Sequence, residues 1–239
     1  MARYVIVHGA WHSGRQFEAT AAPLRLAGYE VHLPTLAGNR PGDRKDSGLA
    51  TAIASLSDYL DTHKLDDFVL VGHSYGGMII TAIADRLAAR VRRLVYWNAF
   101  VPHDGQALVD LVPAHYVEMF QSLVAADGSI TLPFPIWREA FINDAPLALA
   151  ERAYRELNPQ PWASFTEPVQ LTRPPAALPV AKSYLNCTED TALPHSFSWH
   201  PRLSEKLGLF RLVQCPGSHE LCFTNPRLLG QKIMEAGRD

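Results

Sequence analysis

Cysteine is scarce in this chain, and the three residues present, Cys187, Cys215 and Cys222, are odd in number and lack C-x-x-C spacing. That excludes a disulfide framework and a cysteine-based zinc site, and it favours a reducing, cytoplasmic setting. No run of about 18 apolar residues exists to span a membrane. Basic residues are spread and not gathered into a block, and the net charge is only −2, so the electrostatic footprint expected of a nucleic-acid or anionic-lipid binder is missing. The N-terminal residues Met1-Ala2-Arg3-Tyr4-Val5 enter a strand pattern at once, with no charged, apolar and cleavage regions in succession, so no secretory signal is expected. Internal repeats and low-complexity segments are absent too. What remains is a chain of 239 residues, long enough for a well-buried core and near the upper end of single domains, whose partners should be small and not polyanionic. Nothing in the pattern opposes self-association, so a homo-oligomer is compatible with it.

Short apolar runs alternate with longer helical patterns. Strands are expected at Tyr4 to Val7, Glu30 to Leu33, Phe68 to Val71, Val91 to Tyr96, Val180 to Leu185 and Leu209 to Val213. Helices are expected from about Phe17 to Gly28, Leu49 to Thr62, Gly77 to Ala89, Phe197 to Lys206 and Asn225 to Ala236, the last with Pro226 in its first turn. Continuous apolar strands separated by helices mean a mostly parallel sheet with helices on both faces, because strands buried on both sides lose the alternating pattern. The rhythm breaks from about His103 to Arg173, a stretch rich in proline and aromatics with no clear strand. The expected organisation is therefore one α/β core, residues 1–102 and 174–239, with residues 103–173 inserted as a helical lid over the carboxyl ends of the strands.

Gly72-His73-Ser74-Tyr75-Gly76 stands between the run Phe68 to Val71 and the helical run from Gly77. This is the pattern of a nucleophile elbow, in which a sharp strand-to-helix turn lifts a serine hydroxyl clear of the sheet. Glycines flank the serine because a Cβ there would crowd the turn. The pentapeptide by itself arises by chance in roughly one chain in ten of this length, so the flanking strand and helix carry the argument. A serine hydroxyl is a poor nucleophile at neutral pH and needs a base, which in turn needs a third group to fix its tautomer. In this architecture the order is serine, then acid, then histidine. His219, in the loop Gly217-Ser218-His219-Glu220 just past the last expected strand, is the natural base. The acid should follow the preceding strand, where Glu189 and Asp190 stand side by side; Asp190 is preferred, Glu189 comes next and Asp104 third. Two backbone donors should face the developing oxyanion, the N–H of Tyr75 and the N–H of Ala10 in the loop His8-Gly9-Ala10-Trp11. His8 and His73 are expected to support these loops and not to act as bases.

The segments Val7 to His12, Val71 to Met78, Cys187-Thr188-Glu189-Asp190 and Gly217-Ser218-His219 together resemble the α/β-hydrolase superfamily. They are most similar to its branch of plant methylesterases, hydroxynitrile lyases and small bacterial serine esterases, and the match runs through the whole chain in order apart from the lid. The resemblance implies Ser74 as nucleophile, His219 as general base and Asp190 as orienting acid, with Ala10 and Tyr75 as oxyanion donors and no metal or organic cofactor. Hydroxynitrile lyases of the branch carry a lysine after the catalytic histidine and a threonine in the first oxyanion loop. Glu220 and Ala10 occupy those places here, which favours hydrolysis of a small carboxylic ester over cyanohydrin cleavage. Lyase or cofactor-free oxygenase chemistry, and a receptor built on the same scaffold, are the alternatives. Ligand pockets of this size are mostly apolar, so the residues expected to touch an ester with an apolar or aromatic part are Trp11, His12, Tyr116, Phe120, Trp137 and Trp162.

Overall fold

The apolar runs become the strands of one parallel sheet in the computed structural model, which describes residues 2–239. In chain order the first half comprises β1 (Arg3–Val7), α1 (Glu18–Leu26), β2 (Glu30–His32), α2 (Leu49–Thr62), β3 (Phe68–His73), α3 (Gly76–Leu87) and β4 (Val91–Trp97). The segment after β4 carries α4 (Ala114–Ser122), β5 (Ser129–Ile130) and α5 (Phe134–Ile136), which runs into a π turn at Trp137–Phe141. It continues through α6 (Leu147–Tyr154), β6 (Gln160–Pro161) and α7 (Ala163–Thr166). The chain then re-enters the sheet with β7 (Ala181–Cys187) and β8 (Arg211–Cys215) and closes with α8 (Leu221–Thr224) and α9 (Pro226–Gly237). The sheet order is β2-β1-β3-β4-β7-β8, every pairing parallel.

All six residues of β3 are buried, and the strand feeds two cores. Leu70, with Val5 and Val7 of β1, faces Ile53 and Leu56 of α2 and Ile79 and Ile83 of α3. Val69 and Val71, with Tyr4 and Ile6, face Leu24 of α1 and Leu229 and Ile233 of α9. Both faces are covered, so the strand needs apolar side chains at odd and even positions alike. Helix α3 is buried from Gly76 through Asp85, as its alanines and isoleucines lead one to expect. Asn225 caps α9 by accepting from Leu228 N at 3.2 Å.

Three local expectations change. Phe197 to Lys206 is not one helix but two short turns, His195–Phe197 and Ser204–Leu207, because Pro201 has no N–H to donate and disfavours helical backbone in the residue before it. The last strand begins two residues later than Leu209, which is 92% exposed after the turn at Gly208; its buried side chains are Val213 and Cys215. The inserted segment does contain strands, the two-residue antiparallel ribbon of β5 and β6. Cys187 and Cys215 are register partners in β7 and β8 with their sulfurs 3.6 Å apart, and all three cysteines are free and buried. Among the described residues no helix is long and apolar enough to cross a membrane.

Candidate active site

Ser74 sits between the end of β3 and the start of α3 with φ at +53°, a backbone region that non-glycine residues seldom occupy. The turn is held from three sides: Ser74 N donates to Trp97 O at 3.2 Å, and Ser74 O accepts from Gly77 N at 3.0 Å and Phe100 N at 3.1 Å. The glycines are required by close approach. A Cβ on Gly72 would stand 2.9 Å from Gly76 O, one on Gly76 2.9 Å from the carbonyl oxygens of Val7 and His8, and one on Gly9 3.0 Å from Ser74 Cβ. The loop His8-Gly9-Ala10 and the elbow thus pack backbone to backbone.

His219 lies in the loop after β8, where its Nδ1–H donates to Asp190 Oδ2 at 2.6 Å. Asp190 also accepts from Ala192 N at 2.8 Å through Oδ1 and from Asn98 Nδ2, and its side chain is wholly buried. Asn98 in turn accepts from Cys187 N at 2.6 Å, so β4 and β7 both brace the carboxylate. Glu189 is exposed, and Asp104 accepts from Leu171 N at 2.8 Å; neither approaches His219. The His219 ring is enclosed by Trp199, stacked at 5.0 Å, by the edge-on ring of Phe141 at 5.3 Å, and by His73 at 4.5 Å. His73 Nε2–H donates to His219 O at 3.1 Å. Burial drives the His73 imidazole well below the usual histidine range and that of His8 down to about 4, so both serve as neutral hydrogen-bonding groups. His8 donates from Nδ1 to Gly9 O at 2.8 Å and accepts from Leu36 N at 3.0 Å.

Ser74 and His219 open onto one cavity, although no hydrogen bond between Ser74 Oγ and His219 is closed among the described residues. Such bonds commonly tighten only when substrate is bound. Ala10 and Tyr75 flank the serine on the cavity wall. Their N–H groups donate to no protein acceptor among the described residues, whereas Ser74 N and Trp11 N are both engaged.

The wall is otherwise apolar. Trp11, Tyr116 and Phe120 stand on it as expected from the sequence. Trp11 has φ at +62° and donates from its indole to Ile130 O at 3.1 Å, while Trp11 N donates to Gln160 Oε1 at 3.0 Å. His12, Trp137 and Trp162 do not line the cavity. Trp137 is fully buried and spends its indole N–H on Ala150 O, and Trp162 packs against Phe165 from outside. Phe100, Phe141, Phe165 and Trp199, with Leu108, Val112, Ala192 and Leu193, complete the wall. Phe100 had a readable signal, since it follows the carboxyl end of β4, where ligands of open α/β sheets gather. Trp199 had none.

His12 is turned the other way. Its Nδ1–H donates to Ala10 O at 2.6 Å, and its Nε2 lies 3.0 Å from Glu220 Oε2, near enough for charge pairing though out of line for a formed hydrogen bond. Burial opposes the charged imidazole, but the Glu220 carboxylate outweighs it and the pKa of His12 is raised. The Cys222 thiol donates to the same carboxylate oxygen at 3.6 Å. Glu220 therefore faces the core behind the cavity. The donor atoms of His12, Glu220 and Cys222, and likewise those of His73, His219 and Glu220, lie within 4.8 Å of one another and are of types that hold metal ions. Among these donors His219 Nδ1 is engaged by Asp190 and Glu220 by the Cys222 thiol, whereas His12 Nε2 and His73 Nδ1 carry no hydrogen bond.

A family model described as the alpha/beta hydrolase family matches residues 4–229. The chain is 34% identical over 250 residues to the carbendazim hydrolyzing esterase of Nocardioides sp. (strain SG-4G), covering 99% of this chain and 100% of that one. It is 25% identical over 256 residues to salicylic acid-binding protein 2 of Nicotiana tabacum, covering 97% and 95%. Among solved structures, an extracellular alpha/beta-hydrolase from a Paenibacillus species superposes with a TM-score of 0.96 at 35% identity, over 100% of both chains. That protein is described as sharing structural and functional homology with the tobacco salicylic acid binding protein 2.

Proposed function

This chain belongs to the alpha/beta hydrolase family and is an esterase, and from that premise we propose that it cleaves small carboxylic esters through an acyl-enzyme on Ser74. The observation that carries the reading is the 2.6 Å bond from His219 Nδ1 to Asp190, which leaves Nε2 as the free base in the cavity that Ser74 also lines. Ser74 Oγ attacks the ester carbonyl while His219 Nε2 takes its proton. The resulting oxyanion is held by the unspent N–H groups of Ala10 and Tyr75. The tetrahedral intermediate collapses, the C–O bond to the alcohol breaks, and His219 returns the proton to the departing oxygen. Water then repeats the sequence on the acyl-enzyme and frees Ser74. Chain, ester and water supply every proton and electron pair in this scheme, so it calls on no metal or cofactor.

The cavity wall supports an ester with an apolar or aromatic part, because it offers aromatic and aliphatic surface and few polar groups beside Ser74 and His219. Residues 103–173 act as the lid, contributing Tyr116, Phe120, Phe141 and Phe165 to that wall over the core of residues 1–102 and 174–239. The free cysteines favour a cytoplasmic setting, while the Paenibacillus relative is described as extracellular; cell fractionation decides between them. Turnover of a short-chain p-nitrophenyl ester tests the mechanism. Ser74→Ala is expected to lower kcat at least ~10³-fold without changing the circular dichroism spectrum or Tm. Undiminished turnover would overturn the acyl-enzyme and redirect attention to lyase or oxygenase chemistry centred on His219.

A further inference from the structure

The buried pair of His12 and Glu220 is neither a reacting group nor part of the cavity wall, yet it touches both loops on which the proposed reaction depends. His12 Nδ1–H holds the Ala10 carbonyl, and Ala10 is the residue whose N–H faces the oxyanion in that scheme. Glu220 directly follows His219, and its carboxylate reaches back to His12 at 3.0 Å. The two side chains are 2% and 1% exposed. Rings of Phe17, His73, Trp137 and Phe223 surround the imidazole, with centroids about 6 Å away. Glu220 N is tied to Ser218 Oγ at 3.2 Å, which fixes the base loop on the far side of the carboxylate.

A buried ion pair is a poor way to fill space, since apolar side chains of similar volume usually stabilise as well or better. What it offers is direction. The loop it grips runs from Ala10 into Trp11 at φ +62°, and on the lid side it is held by Asn158 N to Trp11 O at 2.6 Å and Trp11 N to Gln160 at 3.0 Å. His12 is the grip on the core side, and it ends beside the base.

We infer that His12 and Glu220 are positioning residues that couple the oxyanion loop to the base loop, setting the Ala10 donor at the right distance from His219. The inference rests on the ester-hydrolysing reading of Ser74. Neither side chain reaches the cavity, so the pair acts on the transition state and leaves substrate binding alone. Its removal should therefore appear in kcat and not in KM.

The double variant His12→Leu/Glu220→Leu removes the link without leaving a lone buried charge. It is expected to keep a Tm within a few degrees of the wild type and KM within about threefold, while kcat falls ~10–100-fold, the scale set by small misplacements of catalytic groups. Labelling of Ser74 by a fluorophosphonate counts the competent fraction, and the rate of labelling should slow in parallel with kcat. Glu220→Gln, whose amide can donate to His12 Nε2 and keep the two loops tied, is expected to recover most of the kcat that Glu220→Leu loses; this comparison decides the matter if the double variant does not fold. Wild-type kcat in the double variant, or a loss that merely follows the labelled fraction, overturns the coupling while Ser74→Ala remains inactive. A stoichiometric metal in the purified protein, whose removal by chelator lowers kcat equally, also overturns it in favour of a metal centre. Turnover that survives Ser74→Ala overturns the underlying reaction instead.

Discussion

At the scale of single residues, the candidate site turns on how Asp190 is held. Its carboxylate accepts from His219 Nδ1, Ala192 N and Asn98 Nδ2 with its side chain fully buried, so three of its roughly four acceptor sites are used and the carboxylate is held facing the imidazole. Asp190→Asn keeps the shape but presents an amide donor to Nδ1, which stabilises the tautomer with its proton on Nε2, the nitrogen that serves as base in the proposed mechanism. It is expected to lower kcat ~10³–10⁴-fold with KM little changed, measured on the same p-nitrophenyl ester. Glu189→Gln, one residue away on an exposed side chain, is expected to alter kcat less than twofold, within the range of an ordinary surface change. The sequence places the two acids side by side and separates them only through the family resemblance. Their separation in space is set by the turn after Cys187, where Glu189 N bonds to Gly217 O and Asp190 N to Cys187 O, so that only one side chain faces inward.

At the scale of elements, the elbow depends on how closely α3 approaches its neighbours. A Cβ on Gly77 would stand 2.1 Å from Phe100 O and 2.8 Å from Phe100 N, both backbone atoms with no freedom to retreat. Glycine to alanine inside a helix ordinarily stabilises by ~0.5–1 kcal/mol. Here the sign should reverse: Gly77→Ala is expected to destabilise by ~1–3 kcal/mol, seen as a lower urea midpoint and a Tm lower by several degrees. An unchanged or raised midpoint would show that α3 and the Phe100 strand end can separate. The sequence marks Gly72 and Gly76 through the pentapeptide, but Gly77 looks there like the opening of a helix. Its packing against Phe100 exists only because β4 pairs beside β3. The segment around Trp199 makes the same point, since helical spacing suggests a continuous helix and Pro201 instead leaves Trp199 free to stack on His219.

Over the whole molecule, stability should fall on acidification because several histidines are buried. His8 is lowered to about 4 by burial, against 6.5 for an exposed imidazole. Between these values the unfolded chain binds a proton that the folded chain does not, so folding weakens as the pH drops from 6.5 towards 4. His73 is lowered by burial as well and adds in the same direction. His12 is raised by Glu220 and acts oppositely: its contribution is complete below 6.5 and is lost as the pH rises through its folded value. Tm should therefore fall steadily from pH 6.5 to 4, with His8 alone accounting for about 3 kcal/mol. His8→Gln, which can keep the bonds to Gly9 O and Leu36 N without titrating, should flatten that slope; an unaltered slope would remove His8 from the account.

By itself the sequence determined the parallel α/β architecture, the order of the six strands along the chain, and the places of Ser74, His219 and the pair of acids that includes Asp190. These are legible because they rest on local rules: apolar runs bounded by turns, a glycine-flanked serine between strand and helix, and polar residues just beyond strand ends. Only the tertiary structure decided which way side chains of one loop point. It turned Asp190 inward and Glu189 outward, put Trp11, Tyr116 and Phe120 on the cavity wall, and drew His12 away from that wall to Glu220. Those outcomes depend on contacts between residues far apart in the chain, 208 positions in the case of His12 and Glu220. No spacing pattern in a single sequence encodes such a contact, because it comes into being only when the sheet brings the carboxyl ends of β1 and β8 to the same edge of the core.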